Sequence, residues 1–161
     1  MTYRLRQMNN ETCDAEALTY MIEVAPYDVA QTIAWMVNAG FNVTHQQGGT
    51  SVSFGDIVVE WERRSLRIKI NRDRSPWFVD VAAPGLPYAP IDRLLTAKND
   101  YPIVTTWEGP RPEQLPPGVT WTSVVSELIA WIEGGDRKDA IEDAVEEWGS
   151  AIRKHYGIDP Q

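Results

Sequence analysis

The sequence predicts an α+β fold, an antiparallel β-meander of about five strands with helices packed on one face. Three observations lead there. Residues 41–82 alternate apolar and polar side chains with period two, as a sheet with one buried face requires. Proline and glycine punctuate the chain, and short polar turns separate the alternating runs. On either side of this block the apolar period changes to that of a helix. A length of 161 residues suits one domain, divided into a helical start (14–40), a β-meander (41–82), a loop-rich connector (83–120) and C-terminal helices (121–156).

In the helical start, "DVAQTIAWMVNAG" carries Val29, Ile33, Met36 and Val37 at helical spacing, with Asp28 placed to cap and Gly40 to stop it. The meander follows from pairing across successive turns. Around "QQGG" Val43 faces Phe54 and His45 faces Val52, and around "GD" Phe54 faces Ile57 and Val52 faces Val59. Around "ERRS" Trp61 faces Leu66, Val59 faces Ile68 and Ile57 faces Ile70; across "NRDRSP" Ile70 faces Trp77, Ile68 faces Val79 and Leu66 faces Val81. That register gathers nearly every large apolar residue on one face. On the other, Arg67 lies between Glu60 and Asp80, and Lys69 between Val58 and Phe78. Arg63 and Arg64 stay free at one turn and Arg72 and Arg74 at the opposite end, so the basic run does not form one patch.

Beyond the sheet, "APGLPYAP" reads as a turn-rich connector, "IDRLLTAKND" as a short helix and "YPIVTTW" as a further strand. The prolines of "EGPRPEQLPPG" enforce an extended or turning loop. In "TWTSVVSELIAWIEGG" Thr122 or Ser123 is placed to cap, Val124, Val125, Leu128, Ile129 and Ile132 point inward, and Gly134 and Gly135 end the helix. In "KDAIEDAVEEWGSAIRKHYG" the apolar stripe is Ile141, Val145, Trp148 and Ile152, and the opposite side carries Glu142, Asp143, Glu146 and Glu147.

A net charge of -8 and a pI near 4.7 repel phosphate backbones and favour a basic partner, so no nucleic-acid binding is expected. Cys13, the single cysteine, leaves no internal disulfide and suits a reducing, cytoplasmic setting. No leader-like segment and no apolar run of membrane length is evident, so no membrane association is expected. Nucleophile, zinc and calcium motifs are missing, which argues against an enzyme and against any cofactor or metal. Acids flank Cys13 and disfavour its thiolate. His45, on the apolar face, and His155, beside Lys154 in the last helical turn, read as structural. The carboxylate pairs Glu60 and Glu62, Glu142 and Asp143, and Glu146 and Glu147 would need a cleft that holds them apart to work as acid and base, and Glu60 already has Arg67 as a partner.

Two features suit a protein interface. Trp107, beside Glu108 at the mouth of the proline-rich loop, is a candidate anchor. The acidic side of the last helix, with Glu142, Asp143, Glu146 and Glu147, could steer a basic partner into place.

The stretch "FGDIVVEWERRSLRIKINRDRSPWFVDVAAPG" resembles small bacterial proteins of actinobacterial type, in which an antiparallel block ends in a basic turn followed by "WFVDV". Those proteins are similar to the immunity families encoded beside secreted polymorphic toxins. The resemblance implies a non-enzymatic inhibitor that binds a cognate toxin in the producing cell and blocks its active site. It carries over no catalytic residue, and Trp77, Phe78, Val79, Asp80 and Val81 have a structural role in it. The alternative is a small-molecule-binding module with a cavity between sheet and helices; a hydrolase with an unrecognised carboxylate site is a third class.

Overall fold

A computed structural model of the chain describes residues 17–48, 56–73, 77–98 and 118–158. Helix α1 (17–24) and α2 (Tyr27–Asn38) lead into strands β1 (Asn42–Gly48), β2 (Ile57–Arg63), β3 (Leu66–Arg72), β4 (Trp77–Ala82) and the short β5 (Ala89–Pro90). Helices α3 (Ile91–Lys98), α4 (Trp121–Gly134) and α5 (Lys138–His155) follow. The strands lie in chain order β1-β2-β3-β4-β5 and every neighbouring pair is antiparallel. The fold is therefore the expected α+β meander.

The apolar face is the one the alternation predicts. Ile57, Val59, Trp61, Leu66, Ile68, Ile70, Trp77, Val79 and Val81 are all buried there. Val29, Ile33 and Met36 of α2, Leu94 of α3, Val125 and Leu128 of α4 and Ile141 of α5 belong to the same core. Each such side chain removed from water contributes about 1.5–3 kcal/mol before the cost of ordering the chain.

The register differs from the predicted one by two residues. Trp61 faces Ile68 and Val59 faces Ile70, while Ile70 faces Val79 and Ile68 faces Val81. Arg63 and Leu66 close a two-residue turn through Arg64 and Ser65, whose φ angles of 49° and 67° are both left-handed, as the tight hairpin turn demands. A shift by two keeps every side chain on its predicted face. It does change the charged row: Lys69, not Arg67, lies between Glu60 and Asp80, and Asn71 takes the place between Val58 and Phe78.

The outer strand also differs. Val52 and Phe54 were expected beside β2, yet β1 occupies that edge, with Gln46 opposite Val59 and Gly48 opposite Ile57. A bulge at Thr44 shifts the pairing, so Val43 faces Trp61 while His45 faces Glu60. One extra residue reverses the faces beyond it, which moves His45 off the apolar side.

The helix ends are corrected too. Asp28 is the second residue of α2 rather than its cap, which is Pro26, and Val37 is 54% exposed while Thr32 takes a buried position. Thr120, not Thr122 or Ser123, caps α4, its hydroxyl accepting from the Ser123 N–H at 3.1 Å. Gly135 ends α4 with φ 76°, as expected. The predicted α3 forms as a helix of eight residues. Cys13, Val52, Phe54, Arg74, the "YPIVTTW" and proline-rich segments, Trp107 and Glu108 lie outside the described residues.

Candidate functional site

Helix α5 supplies the first candidate surface. At about 100° per residue, Glu142, Asp143, Glu146 and Glu147 fall within an arc of roughly 140°. Ile141, Ala144 and Val145 on the opposite arc are buried, which anchors the helix with its carboxylates outward. All four acids are exposed. Lys138 Nζ approaches Glu142 Oε1 at 3.9 Å, an exposed pair that adds little. Asp143 and Glu147 also border a groove of about 440 Å³ whose far wall is Arg93, Thr96 and Ala97 of α3. Arg93 rests its guanidinium 5.2 Å from the centre of the Trp148 ring, leaving the groove with charges of both signs. The structure thus brings four of the six predicted interface residues onto one face; Trp107 and Glu108, being outside the described residues, are not placed against it.

The basic turn is not a second patch. Arg63, expected to be free, donates to the Ala39 carbonyl at 2.8 Å, pairs with Glu133 of α4 and lies 4.6 Å over the Phe41 ring. It ties the end of β2 to α2 and α4. Arg64 reaches the other Glu133 oxygen at 3.5 Å from a largely exposed position.

The outer face of the sheet holds the second candidate. Lys69 lies 3.5 Å from Asp80, and Tyr88 of the connector lies over this row with Arg67 and Lys69 at 4.8 and 4.6 Å from its ring centre. Arg67 also donates to the Leu86 carbonyl at 3.0 Å, which fastens the connector to the sheet. Burial pushes the Asp80 carboxyl up from its ordinary value, against the opposing pull of Lys69. Burial, and then the nearby Glu60 carboxylate, hold the Tyr88 hydroxyl protonated well above its usual range. By geometry that hydroxyl has no hydrogen-bond partner, so Glu60 acts on it as a charge. At the start of α3, Asp92 is only 5% exposed and its carboxyl is pushed up to about 6, chiefly by burial.

Trp148 and Ile152 of α5 overhang this face and complete a cleft of about 350 Å³ with Lys69, Asn71, Phe78, Asp80 and Tyr88. None of these polar residues was chosen from the sequence as a site. Tyr88 sits between prolines in "LPYAP", the one signal that an aromatic is being held in a fixed place.

Among the described residues no group of three His, Cys, Asp or Glu side chains could hold a metal ion, and no helix is long and apolar enough to cross a membrane. Comparisons with protein-family models, with curated proteins and with solved structures give no match to the chain.

Proposed function

We propose that the protein is a non-enzymatic binding protein that holds a basic protein partner against the acidic face of α5. The observation that carries this reading is the arc of Glu142, Asp143, Glu146 and Glu147, exposed on a helix whose other side is locked into the core. Such an arc attracts cations over a distance of about one Debye length, ~8–10 Å, and raises the rate of encounter with a basic surface. The adjoining groove gives a lysine or arginine of the partner a recess between Asp143, Glu147 and α3.

The resemblance of residues 54–85 to immunity proteins supports a more specific partner, a secreted bacterial toxin whose cationic active-site cleft is blocked in the cytoplasm of the producing cell. Trp107 and Glu108 are proposed as further contacts. Purification of the tagged protein from its own cells tests the class, with stoichiometric recovery of one protein bearing a basic toxin domain as the expected outcome. The double substitution Glu146→Lys, Glu147→Lys then tests the surface. Association with that partner should slow by about tenfold or more at low salt and lose most of its salt dependence. Unchanged kinetics would remove α5 from the interface.

A further inference from the structure

The cleft on the outer face of the sheet has features that packing alone does not require. Its volume of about 350 Å³ lies within the range of small-molecule sites, roughly 300–1,000 Å³. Phe78, Trp148 and Ile152 give it an apolar wall. Two buried polar atoms of lining residues, Asn71 Oδ1 and Tyr88 Oη, have no hydrogen-bond partner. Each such atom calls for a partner, and of the two only the Asn71 oxygen, which is not a donor, specifies what that partner must be. The Asn71 oxygen can only accept, so the missing group must donate to it.

Charge narrows the choice. The lining holds one ammonium, Lys69, against two carboxylates, Asp73 and Asp80. Lys69 is already committed to Asp80 at 3.5 Å and to the Tyr88 ring at 4.6 Å. An anionic ligand would meet the remaining carboxylate and the unpaired Asn71 oxygen, and the one unpaired donor, the Tyr88 hydroxyl, already lies beside the Glu60 carboxylate.

We infer that this cleft binds a small organic cation, an ammonium or guanidinium group on an apolar body. The head group donates to Asn71 and is balanced by Asp73, the carboxylate that Lys69 leaves uncommitted, while the body lies against Phe78 and Trp148. The site is on the other side of α5 from Glu142 and Glu146, and it stands whether or not the acidic arc binds a protein.

Tryptamine and its carboxylate counterpart indole-3-propionate make a matched pair of probes for the full-length protein, read by calorimetry and by the shifts of the Asn71 side-chain amide and the Trp148 indole. Tryptamine should bind and shift both signals, with the acid weaker by about tenfold or more. Asn71→Val and the exposed Asp73→Asn should each weaken tryptamine by several fold, the second without touching a buried position. Four results would overturn the inference: no tryptamine binding at about 10 mM, well above the weakest affinities ordinarily counted as binding; equal or tighter binding of the acid; shifts elsewhere than the cleft; or variants that bind tryptamine as the parent does. Loss of toxin association in Glu146→Lys, Glu147→Lys with tryptamine binding intact would show the two sites to be separate.

Discussion

The two faces of the same sheet differ in what they ask of their residues. On the inner face Val59, Trp61, Leu66, Ile68 and Val81 are wholly buried, and helices complete the packing with apolar side chains. The outer face sets Glu60, Lys69 and Asp80 in a row and roofs it with Tyr88. Burial on the inner face is repaid by the apolar surface withdrawn from water. On the outer face burial works against the charge it covers, as the raised carboxyl of Asp80 records. One face stabilises the domain, and the other holds chemical groups at a cost in stability, which is where binding is to be sought.

The largest effect should come from the inner face. Trp61→Ala should destabilise the domain by about 3–5 kcal/mol in denaturant unfolding, a large share of the ~5–15 kcal/mol that holds a domain together. Trp61→Phe should cost far less, because it keeps most of the ring and removes an indole N–H that has no acceptor. Equal losses in both variants would mean that the inner face is not packed as described.

Next in size is Asp92 at the start of α3, where burial of a charge should act with the opposite sign. Its folded carboxyl is raised to about 6 from 3.8, so the folded state prefers the protonated form. The group is therefore least unfavourable below pH ~3.8, and stability falls as pH rises through that value towards about 6. Asp92→Asn removes the charge, and at pH 7.5 it should stabilise the protein by about 2–3 kcal/mol and flatten the pH dependence between about 4 and 6. A destabilised variant at pH 7.5 would show that the Asp92 charge is held by favourable partners and that burial there is harmless.

The smallest effect belongs to the hairpin that joins β2 and β3, outside either face. Ser65 has φ 67° at the second turn position, where glycine is preferred. Ser65→Gly should add roughly 0.5–1 kcal/mol in the same unfolding measurement. A loss there would argue that the Ser65 side chain contributes more than its backbone strain removes.

Much of the fold was legible in the residues. Leu66, Ile68 and Ile70 alternate with Arg67 and Lys69, which is enough to assign faces, and Val124, Val125, Leu128 and Ile129 mark the buried side of α4. The acidic arc of α5 was legible for the same reason, since residues 142, 143, 146 and 147 share a helical face whatever the helix packs on. The cleft was not. Asn71, Asp80, Tyr88 and Trp148 are spread over β3, β4, the connector and α5, and no local period links them. The anchoring of Arg63 is not legible for a related reason, because Glu133 and Ala39, its partners, are remote in the chain.

By itself, then, the sequence determined the class of each element and which side of it is apolar, because periods of 2 and 3.6 are local properties of the backbone. Only the tertiary structure decided the register, the strand at the sheet edge and the groups that meet across the outer face. A slip of two residues leaves every side chain on its own face, so alternation cannot distinguish the registers. The choice falls to the left-handed turn at Arg64 and Ser65 and the bulge at Thr44, and the cleft to the way α5 closes over the sheet.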